Sequence, residues 1–260
     1  MDIDNIMSTI ADKLQDLVTA KEDMKTALIE KGVSVTGGLS TYADAVREIS
    51  GEWTPPNGIK FEDSVCTYIP KFNTVNITDM SYMFRYCGQL RSVPELETGH
   101  ITHMEQTFMY CNGLTTIPQY DTSSCTNMGA MLYNCQSLES IPLLEVGECR
   151  TITSILNGSY AITDIGGFKD LGKAMWTWIP PYPQYGEPGY YVKIGTDNAF
   201  NDCRKITRES CLNIFNNLYD VRENPGGYTP ELKFEPEVIA RLTEEDISIA
   251  VGRGWIISSY

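Results

Sequence analysis

Thr78-Asp-Met80-Ser-Tyr-Met83-Phe84-Arg-Tyr-Cys87-Gly-Gln-Leu90-Arg-Ser-Val93-Pro94-Glu-Leu96 returns 24 residues later as Thr102-His-Met104-Glu-Gln-Thr-Phe108-Met-Tyr-Cys111-Asn-Gly-Leu114-Thr-Thr-Ile117-Pro118. A third pass at the same step reads Thr126-Asn-Met128-Gly-Ala-Met-Leu132-Tyr-Asn-Cys135-Gln-Ser-Leu138-Glu-Ser-Ile141-Pro142-Leu-Leu144. Working outward, Pro70 extends the proline column Pro94, Pro118, Pro142. A period of this length marks a repeat architecture, in which each unit is too small to bury its own apolar face and must stack on its neighbours.

Within one unit, Met80, Met83, Phe84 and Cys87 stand at i, i+3, i+4 and i+7, a spacing that predicts one apolar stripe of a short helix. Thr78, Thr102 and Thr126 precede these stripes, where a hydroxyl would cap the free N–H groups of a first turn. Leu90-x-x-Val93-Pro94-x-Leu96 and its equivalents predict a short extended piece. The expected fold class is therefore an α/β solenoid, leucine-rich-repeat-like, of short parallel strands plus short helices, with an N-terminal α-helical coiled-coil segment. The first coil is partial, with Phe61, Cys66 and Ile69-Pro70 in register. The last drifts, with Ile152, Leu156, Ile162 and Ile165 in the columns, Ser159 in the cysteine place and Gly166 in the proline place. After Phe168 the register is expected to stop.

The unit L-x-x-I-P-x-L-x-T-x-x-x-T-N-M-x-x-M-F-x-x-C resembles the bacterial-surface type of leucine-rich repeat. That resemblance implies a surface function, since the type occurs on adhesins of gut and oral bacteria and in fibre or tail proteins of the phages that infect them.

The domain plan has five parts: 1–50 an oligomerisation or attachment segment, 51–60 a linker, 61–171 the repeats, 172–196 an insertion, and 197–260 a closing repeat and cap. In the first part, Ile3, Ile10, Leu17 and Met24 are seven apart. Met7, Leu14, Lys21 and Leu28 form a second such series, offset by four. Alternating steps of four and three make a coiled-coil seam, with Lys21 the polar exception. The alternative is an amphipathic helix lying on its own chain. Residues 30–49, with K-G-V-x-V and Y-A-D-A-V-R-E-I, resemble a module near the N-terminus of phage tail and fibre proteins.

Residues 172–196 are aromatic and proline-rich: Trp176, Trp178, Tyr182, Tyr185, Tyr190 and Tyr191 form either an adhesive surface or a cover for the repeats. Further on, a helix capped at Thr207, a strand over Glu231–Phe234, helices opened by Pro236 and by Thr243, and a final strand are expected. The ending L-T-x-E-D-I-x-I-A-x-x-x-G-W-x-I-S resembles the closing repeat of phage-borne members of the same repeat family.

Composition narrows the partners. The 260 residues hold 34 acidic and 20 basic side chains, a net charge of -14, which argues against nucleic acid or anionic lipid. Apolar runs are too short to span a bilayer, and the start of the chain reads as having no secretory signal. Cys87, Cys111 and Cys135 share one column and Cys125 and Cys149 another, so they read as reduced interior ladders suited to assembly in a reducing host cytoplasm. His100 and His103 find no third ligand, and no nucleophile or phosphate-binding motif is present. The expectation is a non-enzymatic virion structural protein with no cofactor or metal. It would be a homo-oligomer, with a trimer favoured, bound to other virion proteins and to a host glycan or protein. A bacterial cell-surface adhesin or protein-binding scaffold is the alternative.

Overall fold

The computed structural model describes residues 60, 61, 67, 69, 71–174, 176–179, 190–193, 195–222 and 229–260, with 176–179 and 190–193 as backbone only. The chain divides into two compact units, Met1–Trp53 with Pro70–Phe72, and Thr54–Ile69 with Asn73–Tyr260. Every element below belongs to the second. The heptad positions Ile3, Met7, Ile10, Leu14, Leu17, Lys21, Met24 and Leu28 lie outside the described residues.

From Met80 onward the backbone repeats one bonding scheme. The N–H groups of Met80, Tyr82, Phe84 and Tyr86 donate to the carbonyls of His103, Glu105, Thr107 and Met109 at 2.8–2.9 Å. Those of Met104, Gln106, Phe108 and Tyr110 donate to Asn127, Gly129, Met131 and Tyr133, and Met128, Ala130, Leu132 and Asn134 to Thr151, Thr153, Ile155 and Asn157. Each coil thus hands alternate N–H groups to the next. Parallel pairing runs at the same step through Asp79, His103, Asn127 and Thr151, and from Thr116 to Ser140. It continues as β1 (Ser140–Ile141) against β3 (Asp164–Ile165) and β2 (Leu144–Glu145) against β4 (Phe168–Lys169).

The intervening N–H groups turn back within their own coil: Met83 to Met80, Arg85 to Tyr82 and Cys87 to Phe84, each at 3.1 Å. These are tandem turns, and they replace the short helix that the spacing predicts. Tyr82 and Tyr86 occupy the third places of two of these turns with φ of 66° and 63°, the left-handed conformation a type II turn requires there. Gln106, Tyr110, Ala130, Asn134 and Ser154 repeat it. A helix of two turns is marginal in water and would spend its N–H groups on itself. Tandem turns point half of them along the stack instead, while still burying Met80, Met83, Phe84 and Cys87.

The threonines are corrected too. The Thr102 and Thr126 hydroxyls do not cap helices but donate to the carbonyls of Thr78 and Thr102 in the preceding coil, both at 3.0 Å. Inside the stack, Phe61, Phe84 and Phe108 lie ring on ring with centroids 5.4 Å apart.

The register does not stop after Phe168. Ile152, Ser154, Leu156 and Gly158 donate to Gly195, Asp197, Ala199 and Asn201, so the sequence step of the ladder lengthens from 23 to 43. Twenty residues are set aside, and the coil resumes. Part of the excursion is an antiparallel pair, β5 (Trp176–Ile179) with β6 (Tyr190–Lys193).

Helix α1 (Arg208–Asn216) then takes the place of a further strand. Its N-cap Thr207 accepts from the Ser210 N–H. The Ser210 hydroxyl donates to Thr163 O and accepts from the Ile165 N–H, both at 2.9 Å, while the Asn213 amide reaches Ile165 O. Polar side chains thereby satisfy the exposed edge of β3, which would otherwise offer a template for pairing. β7 (Glu231–Phe234), α2 (Pro236–Ile239), α3 (Glu244–Val251) and β8 (Ile256–Ser259) follow, with β7 parallel to β8. Phe234 stacks on Phe200 at 4.8 Å. Thr243 and Asp246 form a reciprocal capping box on α3, and Arg208 grips Asp246 with two bonds of 2.8 and 2.6 Å, tying α1 to α3.

Candidate functional site

The interior is assigned to structure by its chemistry. Cys87, Cys111, Cys135 and Cys203 each donate a thiol hydrogen to a carbonyl of the preceding coil, at Phe61, Phe84, Phe108 and Leu156, over 2.9–3.1 Å. Ser159 fills the missing rung, donating to Leu132 O at 2.8 Å and accepting from the Cys135 N–H at 3.0 Å. In the second ladder Cys125 and Cys149 donate to Asn127 O and Thr151 O. All seven described cysteines are buried. Burial pushes Cys125, Cys135 and Cys211 up to about 12 and Cys149 to about 11, far from the range of a nucleophilic thiol.

The histidines are engaged locally: the His100 ring meets Thr74 O at 2.7 Å and the His103 ring meets the Thr102 hydroxyl at 2.9 Å. Among the described residues no cluster of three metal-ligating side chains occurs. No helix of the described residues is long and apolar enough to cross a membrane.

Of the six aromatic positions in the insertion, four lie on the hairpin. Trp176 stands opposite Lys193, Trp178 opposite Tyr191, and Tyr190 opposite Ile179. Tyr182 and Tyr185 lie outside the described residues. Trp176 pairs with Lys193 at the feet of the hairpin, so the chain leaves and rejoins the stack at neighbouring points.

A second aromatic surface, which sequence reasoning missed, lies on the coils. Tyr86 and Tyr110 stack at 5.0 Å with planes 8° apart, and Tyr133 meets Tyr110 edge-on at 5.6 Å. The Arg85 guanidinium lies 4.6 Å from the Tyr86 ring centre and 5.6 Å from that of Tyr82, and Lys60 Nζ is 4.8 Å from Tyr82. Arg85 also donates to the Tyr86 hydroxyl at 3.0 Å. Desolvation, and then the neighbouring Tyr133 and Tyr86, raise the Tyr110 phenol; desolvation and Glu105 raise Tyr82.

These tyrosines share the left-handed backbone of the tandem turns with Gln106, Ala130 and Ser154. A bulky residue in the left-handed region costs about 1–2 kcal/mol, and such outliers concentrate where a surface has a task. The 86 and 110 column continues as Asn134, Gly158 and Asp202, all with positive φ, residue types that carry this conformation at low cost. An aromatic stack returns only about 0.5–1.5 kcal/mol. The turn imposes the same backbone on Gln106, Ala130 and Ser154, so the cost at the tyrosines belongs to the coil and is offset in part by their mutual contact. The signal was available in the column itself, where Tyr86 and Tyr110 give way to Asn134 and Gly158, but it becomes readable only once the turn conformation is known.

A family model described as "Mycoplasma protein of unknown function, DUF285" matches residues 59–165, the part of the chain that keeps the 24-residue step. No curated protein and no solved structure matches the chain.

Proposed function

We propose that this chain is a non-enzymatic structural subunit of a phage virion, a leucine-rich-repeat solenoid attached through its N-terminal heptads and presenting a surface to a host glycan or protein. In this reading it is assembled in the host cytoplasm, forms a homo-oligomer, with a trimer favoured, and needs no cofactor. One observation carries the adhesive part: the stacking ladder resumes across the insertion with its bonds intact, so β5 and β6 are carried by the stack without being needed to build it. An element that a scaffold displays and does not depend on is free to serve recognition. The buried, unreactive thiols fit a scaffold and not a reaction centre.

Three measurements test the proposal. Sedimentation of the intact chain should give a trimer or another defined oligomer, and removing residues 1–30 should leave folded monomers. Mass spectrometry of purified particles should find the chain in stoichiometric amount. Removal of residues 175–194 should abolish host-cell binding. A monomeric intact chain, or unchanged adhesion without the insertion, would defeat the corresponding half. A bacterial cell-surface adhesin is the second reading, favoured by the Mycoplasma description of the matching family model; recovery of the chain from cell envelopes and not from particles would select it.

A further inference from the structure

The strand edges β3 and β8 end in different ways. At β3 side chains close the edge: the Ser210 hydroxyl and the Asn213 amide take the N–H and C=O of Ile165. At β8 nothing comparable is found among the described residues. The Ile256 and Tyr260 N–H groups donate to Pro230 O and Phe234 O on the β7 side, and the parallel register sets Leu232 beside Ile257 and Phe234 beside Ser259. Alternation along a strand therefore turns the N–H and C=O of Ile257 and Ser259 away from β7. Among the described residues no backbone partner meets them there. Ser259 is exposed and Ile256 is 45% exposed. The strand, Ile-Ile-Ser-Ser, also lacks the proline or charge that usually blunts an edge.

Charge decides what can lie against this edge. From Ile247 to Tyr260 the chain has no acidic residue and a single basic one, Arg253, although the whole carries 34 acidic side chains and a net charge of -14. Glu231, on the neighbouring strand, is held by the Ser258 hydroxyl at 2.6 Å and by Lys233 at 3.6 Å. Two copies of so acidic a chain repel one another over most of their surface. Along β8 that repulsion is missing.

We propose that β8 pairs antiparallel with β8 of a second copy of this chain, joining two stacks end to end. With Ser258 on the two-fold axis, Ile257 of each copy lies opposite Ser259 of the other, and both outward N–H groups of each strand meet a carbonyl. On the Leu232 and Phe234 side of the sheet, a large residue then faces a small one. On the other side Ile256 comes opposite Tyr260 of the second copy, an aromatic and β-branched pair of the kind that stabilises sheets. The contact uses the same strand on both copies, so it closes and adds no third strand. Four residues a side fall below the area of a stable dimer. The pairing therefore forms at high concentration or where many copies are arrayed together.

The inference goes beyond the function proposed above and uses no residue of the heptads or the hairpin. Backbone amide exchange of the full chain, followed by NMR over a series of concentrations, reads the edge directly. The Ile257 and Ser259 amides should exchange fast in dilute solution and slow at least tenfold as concentration rises, while those of Ile256 and Ser258, bonded to β7, stay slow throughout. Sedimentation equilibrium over the same series should show a reversible gain over the mass of the dilute chain. Ser259→Pro removes an outward N–H and leaves the bonds to β7 in place. It should abolish the slowing at Ile257 and the gain in mass, with the dilute mass unchanged. Should that variant melt lower than the parent, Ile256→Lys, which alters an exposed side chain and charges the edge, should have the same effect. Ile257 and Ser259 amides already slow in dilute solution, or indifferent to concentration, would overturn the pairing. So would slowing that survives in both variants, or slowing produced only by added host-cell envelopes, which would give the edge to a foreign strand.

Discussion

Replacing Ala130 by glycine separates tandem turns from a helix by the sign of one number. Ala130 sits at φ 52° in the third place of a turn whose fourth residue, Met131, donates to Met128 O at 3.2 Å. Relief of left-handed strain stabilises the folded chain by about 1–2 kcal/mol. The extra freedom of glycine in the unfolded chain opposes this by about 0.4–1 kcal/mol. The net expectation is a gain of ~0–1.5 kcal/mol, an upward shift of up to ~3–6 °C for a domain of this size. Had the Met80-type stripe formed a helix, the same substitution would cost about 1 kcal/mol. Gly158→Ala supplies the mirror experiment. Its φ is 76° and a new Cβ would stand 3.0 Å from Asn134 Oδ1, so strain and contact both oppose it. Urea and thermal melts of both variants should move in opposite directions. Ala130→Gly lowering stability by about 1 kcal/mol would refute the turn assignment.

Other outcomes follow from the ladders and caps. Ser159→Ala removes the acceptor of a buried N–H and should cost about 1–3 kcal/mol, whereas Ser159→Cys, which restores the column's usual thiol, should cost less; equal losses in urea melts would count against the ladder. Iodoacetamide at pH 8 should leave Cys87, Cys111, Cys125, Cys135, Cys149, Cys203 and Cys211 unmodified in the native chain and alkylate all of them in urea, read site by site by mass spectrometry. The same raised thiols set the alkaline limit. The folded state favours their protonated form, so their contribution is whole below the unfolded value near 9 and declines as pH rises toward 11–12, by about 1.4 kcal/mol per unit for each thiol. Unfolding free energy should fall steeply above pH 9 and flatten if the thiols become alanines. At the acid end, the Arg208 guanidinium and then the Thr243 N–H hold the Asp246 carboxyl below the usual carboxylate range. Its contribution is present above the unfolded value near pH 4 and is lost as pH falls further, so Asp246→Asn should blunt the acid transition. Deleting residues 175–194 restores the original step of the ladder and should leave a folded chain by circular dichroism.

What could be read in the letters was the inward-facing set. Met80, Phe84, Cys87 and Leu90, with their equivalents, are buried where the columns put them, and Thr207 and Thr243 cap the two helices that begin after them. Backbone conformation was not readable in the repeats, because spacing at i, i+3, i+4 and i+7 is met equally by a helix and by tandem turns. The deciding factor is whether N–H groups are used within the coil or handed to the next, and one unit alone carries no trace of that. The resumption at Gly195 was hidden for a different reason. Phe200 and Cys203 keep their places in the columns, but twenty residues of unlike composition displace them, and a fixed-step search passes over them. The row of tyrosines on the coils was hidden by the same missing fact as the turns, since only the turn geometry lays Tyr86 and Tyr110 ring on ring.

The identical bonding from coil to coil also bears on how such a gene can change. Losing or gaining one whole unit by slippage between the near-copies around Met104 and Met128 would rejoin every donor to an equivalent acceptor. The distance between the Phe61 end and the closing strands would change by about 4.7–4.9 Å each time. Reach could therefore drift in small equal increments while whatever is displayed on the stack stays as it was.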